Sequence, residues 1–558
     1  MENNIKEKAR TWAFSDAFDI NTKNEINVLL DNNNMDELRD RFYKNLEFGT
    51  GGLRGIMGAG TNRINIYTVS MATQGLANYI NHIPNLTHKC VVVAYDSRNG
   101  SSTFASKTAT VLAANGIAVF LFDNIRPVPE LSFSIRRLKA IAGVCITASH
   151  NPSEYNGYKV FYADGAQITP PQDIHIVTEI NKIQTPAVIN DMSFNEAIEK
   201  RLITIIGSDV DSQYLDEILK QSINRAEDNI KIVYTPLHGA GYKLLPEILQ
   251  KRGFTNLIIV EEQAYPDGNF TTVNSPNPED PSSLELGISY CKTHNADLLL
   301  ATDPDCDRIG TAVKTANETF TLLNGNQMAV LMTYYILSEL KRKNALNSGS
   351  GVIIKTIVTT DLIKDICYDF NVTCIDVLTG FKYIGKWIND NPTKELLFAC
   401  EESYGYLRGT YARDKDAINA ANLICEMTSH YKSQGQTLYE KLLEIYDKYG
   451  CYLESLTNFT MKGQEGSIKI NAIMDTLRGY HDEHLKEVLD FKRGLFNLPK
   501  SNVLIFKYND ESKIAIRPSG TEPKIKIYIS VKAKGLMEAK TKLLTVETMF
   551  INLINSIK

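Results

Sequence analysis

The sequence predicts an α/β protein: three topologically similar α/β domains with mixed, mainly parallel sheets, followed by a C-terminal α+β domain. Three observations carry the prediction. At 558 residues the chain is too long for a single core. A trio of apolar, strand-like runs separated by helix-length spacers occurs three times, the arrangement of parallel α/β units. From about residue 450 the pattern changes to closely spaced strands, two of them alternating, as an antiparallel sheet requires.

In chain order, residues 1 to about 45 read as charged helices. A glycine-dense loop follows, Phe48-Gly-Thr-Gly-Gly-Leu-Arg-Gly-Ile-Met-Gly-Ala-Gly60, which contains Arg54. Its glycines let backbone amides approach a ligand closely. No strand precedes it, so it is not a dinucleotide fingerprint, and an ordinary flexible loop is the plain alternative. The first trio is Cys90–Tyr95, Ile117–Phe122 and Ile141–Thr147, the second Ile230–Tyr234, Leu257–Val260 and Ala296–Thr302, and the third Gly351–Val358, Val372–Val377 and Leu396–Cys400. Strands at Leu456–Met461, Val503–Lys507, Lys513–Ile516 and Lys524–Ser530, then a helical tail from about 536, complete the chain. The expected domains are 1–205, 206–320, 321–450 and 451–558.

Composition narrows the function. The net charge is −5, with 60 basic against 65 acidic residues, which gives no support for a nucleic-acid or membrane-surface role. Nine scattered cysteines form no Cys-x-x-Cys pair, so reduced, buried thiols and a cytoplasmic location are expected. The N-terminus lacks a signal-peptide core, and no apolar run approaches the roughly 20 residues of a membrane span.

Each trio ends in a polar loop. The first is Thr147-Ala-Ser-His-Asn-Pro152, followed by Ser-Glu-Tyr-Asn-Gly-Tyr-Lys159. A serine at the end of a buried strand is rigidly held, and ligands of open α/β sheets bind at that end. His150, Asn151 and Lys159 can donate to an oxyanion, and the Asn-Pro and Asn-Gly pairs call for turns. The plainer reading is a polar turn with an incidental serine. The second loop, Thr302-Asp-Pro-Asp-Cys-Asp-Arg308, alternates Asp303, Asp305 and Asp307, so an extended stretch would point all three carboxylates one way. Such crowding repels unless a cation neutralises it, and hard oxygen ligands suit Mg²⁺ or Ca²⁺. The missing glycine and glutamate exclude an EF-hand. The third loop, Leu378-Thr-Gly-Phe-Lys-Tyr-Ile-Gly385 with Glu401-Glu-Ser403, offers groups that hydrogen-bond sugar hydroxyls, and Lys415 nearby could exchange a proton with a hydroxyl. In the fourth domain Arg517-Pro-Ser-Gly-Thr-Glu-Pro-Lys524 joins two strands as a phosphate cradle. His481-Asp-Glu-His484 has no further ligands nearby and reads as a solvated turn.

A serine loop, a metal loop, a sugar loop and a phosphate cradle point to phosphoryl transfer on a phosphosugar. With these four motifs in this order, the chain resembles the α-D-phosphohexomutase superfamily over essentially its full length, most of all its phosphoglucomutase branch. The resemblance implies four domains around a central cleft. It implies that Ser149 carries a phosphoryl group and that Asp303, Asp305 and Asp307 bind Mg²⁺ together with Ser149. His150, Lys159, Arg54 and Arg308 would line the transfer site, with Lys415 as general acid or base. Thr379, Gly380, Lys382, Glu401 and Ser403 would hold the sugar, and Arg517, Ser519, Gly520 and Thr521 the phosphate that does not react. Glucose 1,6-bisphosphate would be activator and intermediate, and the protein a monomer or weak homodimer.

The chain departs from the common pattern at Pro304 and Cys306, where glycines are usual, at Tyr404-Gly-Tyr406, where Gly-His is, and at Ala417. None of these removes an oxygen ligand. Phosphomannomutase or phosphopentomutase activity is the near alternative. A metal-dependent phosphatase is a second class, disfavoured because its nucleophilic aspartate lies near the start of its domain. A silent sugar-phosphate binder is the third.

Overall fold

A computed structural model describes residues 2–49, 52–346, 349–461, 463–519 and 524–557. Gly520 and Thr521 of the expected cradle lie outside the described residues.

The first sheet contains β1 (Gly52–Ile56), β2 (Cys90–Tyr95), β3 (Ala118–Phe122), β4 (Ala142–Ile146), β5 (Tyr155–Tyr162) and β6 (Ile203–Ile206), in the order β1-β5-β4-β2-β3-β6. Strands β4, β2, β3 and β6 are parallel, and β5 and β1 are antiparallel additions. The apolar runs have the composition expected of strands covered on both faces. Along β2, Val92 and Ala94 enter one core while Val91 and Val93 enter the other.

The second sheet holds β7 (Ile232–Thr235), β8 (Leu257–Ile259), β9 (Leu298–Thr302), β10 (Ile309–Lys314) and β11 (Phe320–Leu323), ordered β11-β10-β9-β7-β8. The third holds β12 (Gly351–Thr356), β13 (Thr373–Val377), β14 (Glu395–Glu401) and β15 (Gly405–Leu407), ordered β13-β12-β14-β15. All three share one device. The third strand of each trio runs parallel to its neighbour, and the chain then turns back as an antiparallel strand: β4 to β5, β9 to β10, β14 to β15. The serine loop, the aspartate loop and Glu401-Glu-Ser403 lie at those turns, whereas Leu378–Gly385 follows β13.

The fourth sheet, β16 (Cys451–Thr460), β17 (Leu485–Asp490), β18 (Leu504–Tyr508), β19 (Lys513–Pro518) and β20 (Lys524–Ala533), is antiparallel throughout, in the order β16-β20-β19-β18-β17. The helix Leu536–Ser556 packs on it. The N-terminal helices Glu2–Phe14, Ile20–Asp31 and Met35–Phe42 share a small core in which Trp12 stacks on Phe18 at 4.3 Å.

Two local expectations fail. The glycine-dense segment is not simply a loop, because it contains β1. A Cβ at Gly52 would meet Tyr158 O at 2.0 Å, so this glycine serves strand packing. Asn156-Gly157 does not form a turn either; it lies inside β5. A Cβ at Gly157 would sit 2.5 Å from Thr147 O and 2.8 Å from Leu53 O, so the glycine lets three backbone segments meet.

Candidate active site

The ends of β4, β9 and β14 and the facing ends of β19 and β20 converge on a cavity of about 780 Å³. Its lining includes Arg54, Ser149, His150, Lys159, Asp307, Arg308, Thr379, Gly380, Glu401, Ser403, Lys415, Arg517 and Ser519. The cavity therefore gathers the expected residues from all four domains. Asp303 and Asp305 are fully buried and do not belong to that lining. Lys382 lies in the first turn of the helix Phe381–Asp390 and lines a neighbouring cavity with Tyr162–Gln172, of which Gln167 also lines the cleft.

Ser149 is 3% exposed and has φ 54°. That left-handed conformation is uncommon for a residue with a side chain. Here it is held by the Ser149 amide donating to Thr147 Oγ1 at 2.8 Å and by Arg98, which donates to the carbonyls of Ser149, Asn151, Pro152 and Tyr155. Ser149 Oγ lies 2.9 Å from Asp303 Oδ2 and 3.2 Å from His150 Nδ1. Arg54 donates to Asn151 Oδ1 at 3.2 Å, which orients it into the cleft.

The metal loop differs from the extended stretch expected. After β9 ends at Thr302 the chain turns, with Cys306 at φ 53°, so the carboxylates converge through the turn and not through strand alternation. One oxygen from each of Asp303, Asp305 and Asp307 lies within 4.8 Å of the others, and all three residues are buried. The loop is tied to its surroundings by backbone bonds: Val128 N to Asp305 O at 2.9 Å, Ala240 N to Pro304 O at 2.8 Å, Ile309 N to Tyr404 O at 3.1 Å and Ala417 N to Cys306 O at 3.3 Å. It is anchored to each of the three α/β domains at once.

The donor set fits a hard divalent cation. Asp305 Oδ1 and both carboxylate oxygens of Asp307 are buried and accept no hydrogen bond, although Lys415 Nζ approaches Asp307 Oδ2 to 2.9 Å. Burial, then the adjoining Asp305 and Asp307 charges, pushes Asp303 well above the usual carboxylate range. Burial opposes the charge of Asp305 as well, yet Lys159 at 2.7 Å holds it below that range. Lone pairs left over on crowded, buried carboxylates are what Mg²⁺ or Ca²⁺ would take up.

Cations surround the triad. Burial alone would discharge Lys159 and Lys415, but the aspartates beside them hold both ammonium groups above their ordinary value. Burial, with Arg308 and Arg54 nearby, pushes His150 well below its ordinary value, so its ring is neutral. Arg308 is ion-paired with Glu279.

On the sugar side, Gly380 N donates to Glu401 Oε1 at 3.0 Å. Burial raises the Glu401 carboxyl to about 7, against the pull of Lys415. Buried Thr379 Oγ1 has no hydrogen-bond partner among the described residues. At the cradle, Arg517 Nη2 donates to Tyr528 Oη at 2.9 Å, and Lys524 and Lys526 join the lining. Burial and then Arg517 and Lys524 push Lys526 down, a crowding of cations that an anion relieves. Arg98, Glu279, Lys526 and Tyr528 are cleft or supporting residues that motif reading missed. Arg98 follows the end of β2, and that position was the available signal.

Comparison with known proteins places this geometry. Family profiles described as phosphoglucomutase/phosphomannomutase alpha/beta/alpha domains I, II and III match residues 45–187, 212–317 and 324–449. A phosphoglucomutase of Staphylococcus haemolyticus is 37% identical over 507 residues, 88% of this chain and 91% of the relative. One of Staphylococcus aureus is 37% identical over 524 residues, covering 91% and 93%. Among solved structures, the open form of Paramecium parafusin, a phosphoglucomutase, superposes with TM-score 0.70 at 16% identity, over 92% of this chain and 95% of that one. A phosphoglucomutase/phosphomannomutase family protein of Burkholderia thailandensis gives 0.68 at 17% identity, over 91% and 97%. The likeness in fold and the much stronger likeness in sequence agree, and the chain belongs to the phosphoglucomutase/phosphomannomutase family, in the phosphoglucomutase branch of the α-D-phosphohexomutases.

Proposed function

We propose that the protein is a phosphoglucomutase, which interconverts α-D-glucose 1-phosphate and glucose 6-phosphate through a phosphoserine at Ser149 and glucose 1,6-bisphosphate. The observation that carries this reading is Ser149 Oγ lying 2.9 Å from an oxygen of the aspartate triad, inside a cleft lined by all four domains.

In the first half-reaction the 6-hydroxyl of glucose 1-phosphate attacks the phosphorus on Ser149. A new P–O bond forms to O6 while the bond to Ser149 Oγ breaks. In the second, the 1-phosphate of the bisphosphate returns to Ser149 Oγ and glucose 6-phosphate leaves. Asp303, Asp305 and Asp307 would hold Mg²⁺, which would supply Lewis-acid stabilisation of the phosphate charge. Arg54, Lys159 and Arg308 add fixed positive charge around the transferring group. Lys415, protonated, hands a proton to the departing oxygen and recovers the one released by the attacking hydroxyl, so protons balance over the step. His150, neutral, hydrogen-bonds the serine oxygen. Glu401, Ser403, Thr379 and Gly380 position the sugar. Arg517 and Ser519, with Gly520 and Thr521, grip the idle phosphate, and a site that reads phosphate more than sugar accepts either end of the intermediate. The gaps between the matched family ranges support domain limits near 205, 320 and 450.

Ser149→Ala tests the scheme. Turnover of glucose 1-phosphate in a coupled assay should fall by at least about a thousandfold, with the melting temperature retained. Retained turnover refutes the phosphoserine. Assaying mannose 1-phosphate and ribose 1-phosphate alongside decides against the related mutases if glucose 1-phosphate has the highest kcat/KM.

A further inference from the structure

A second cavity, about 530 Å³ in volume, is lined by residues of the first, second and third domains and shares no lining residue with the cleft. Arg136 and Arg137, in the last turn of the helix Val128–Arg137, form one wall. Lys394, just before β14, and Arg408, just after β15, add two more cations to the lining. Against these four cations the lining carries two carboxylates, Glu217 and Glu395. Glu217 is already paired with Lys220 at 2.6 Å.

None of the four cations has a carboxylate within 4.0 Å among the described residues. Arg136 Nη1 donates to the carbonyls of Thr410 and Tyr411, Arg137 Nε to Gln213 Oε1 at 2.6 Å, and Lys394 Nζ to Gly349 O at 2.9 Å. Arg408 Nε donates to Gln221 O at 2.7 Å, and its Nη1 is buried with no hydrogen-bond partner. A chain with net charge −5 that brings four cations and only two carboxylates to one concave surface has built a local excess of positive charge. Guanidinium groups lining one small cavity suit forked recognition of phosphate or carboxylate oxygens.

The position of the cavity gives binding a consequence. Arg408 opens the segment that carries Lys415 into the active cleft. The same Arg136 that lines the cavity holds the carbonyls of Thr410 and Tyr411, and Arg413 N donates to Ser132 Oγ, in the Arg136 helix, at 2.8 Å. Gly409 allows the tight approach, since a Cβ there would meet Gln221 Oε1 at 2.3 Å. An anion that engages Arg136 and Arg408 thus contacts both sides of the support for Lys415.

We propose that this cavity is a second anion site, which takes a small phosphorylated molecule carrying two or more negative charges and acts on turnover through the segment from Arg408 to Lys415. The probe is radiolabelled 3-phosphoglycerate, which carries a phosphate at one end and a carboxylate at the other. Equilibrium dialysis is run on Arg517→Ala protein, so that the cradle of the cleft does not contribute. Binding should persist there and weaken at least tenfold when Arg136→Gln and Arg408→Gln are added. No binding to Arg517→Ala, or equal binding after the two further changes, overturns the site. If that variant melts early, Lys394→Gln at the exposed rim replaces the pair and should weaken binding severalfold; no weakening counts against the site. For the protein with Arg517 intact, 3-phosphoglycerate should change kcat at saturating glucose 1-phosphate by at least twofold, and Arg136→Gln/Arg408→Gln should remove the response. Competition in the cleft raises KM alone, so binding with kcat unchanged overturns the regulatory assignment. The dialysis arm does not depend on which sugar the enzyme prefers.

Discussion

Ser149, Cys306 and Tyr404 share an uncommon property: each is a non-glycine residue with φ between 53° and 63°, and each sits in the turn after the third strand of its trio. Such conformations cost on the order of 1–3 kcal/mol and persist only where surrounding bonds over-determine them. Arg98 supplies those bonds for Ser149, and the backbone bond from Ile309 N to Tyr404 O does so for the sugar loop. These residues show what a motif conveys and what it does not. The motifs name Ser149 and the aspartates because their chemistry is written in residue type. They do not name Arg98, whose role depends on four carbonyls that approach it only after folding. At this scale Glu401 gives a sharp test. Its carboxyl, raised by burial to about 7, would in the proposed role accept sugar hydroxyls far more strongly when ionised. Below pH 7 the proton returns, so kcat/KM for glucose 1-phosphate should fall about tenfold per unit. The substrate phosphate titrates near pH 6, so the two limbs are resolvable. Glu401→Gln should lower kcat/KM about 10- to 100-fold at pH 8, the worth of one charged hydrogen bond, and remove the limb near 7. A variant that keeps that limb assigns it to another group.

At the scale of elements, the recurring unit is a buried parallel strand, a functional turn and an antiparallel return strand. The parallel strands were legible because both faces are covered and the composition is apolar throughout. The return strands were not. β5 contains Tyr155, Asn156 and Lys159, whose side chains meet the site or close backbone contacts, so neither alternation nor an apolar run marks it. β1 was hidden for the same reason, because Gly52 answers to the neighbouring strand and not to turn geometry. A similar close approach supports the metal loop. A Cβ at Gly239 would lie 2.4 Å from Pro304 Cα and 2.8 Å from Pro304 O, and neither backbone atom can swing aside. The bond from Ala240 N to Pro304 O at 2.8 Å fixes the same contact. Gly239→Ala should therefore displace the aspartate turn while leaving the sheets in place. The expected result is an Mg²⁺ activation curve shifted about tenfold to higher concentration, the scale on which supporting contacts tune metal affinity, with far-ultraviolet dichroism unchanged. An unaltered Mg²⁺ curve removes Gly239 from the support of the site.

For the whole molecule, the question is how firmly the fourth domain is held over the cleft. Apolar contact joins Ile357, Val358 and Leu378 of the third domain to Leu489, Phe491, Val503 and Ile505 of the fourth. A polar seam runs beside it: Lys513 Nζ to Asp361 Oδ2 at 2.9 Å, Tyr452 Oη to Asp365 Oδ2 at 2.7 Å and Lys532 Nζ to the same oxygen at 3.2 Å. Lys355, fully buried beneath Asp361, braces the seam from the third-domain side at 2.9 Å. In the proposed mechanism, turnover through a bisphosphate would make two demands on this contact: it would have to open enough for the intermediate to present its other end, and close often enough to keep the intermediate from escaping. Asp365 separates these demands from chemistry, because it belongs to the seam and not to the cleft lining. Asp365→Asn keeps the size of the side chain while weakening both contacts, by about 1–3 kcal/mol in total. The open arrangement gains that much in relative population, so glucose 1,6-bisphosphate should dissociate more often per turnover. The concentration of added bisphosphate needed for half-maximal activity should then rise severalfold, while kcat at saturating bisphosphate stays within about twofold. An unchanged requirement, with the variant folded, means that the seam does not set retention and that the apolar contact alone governs how the fourth domain moves.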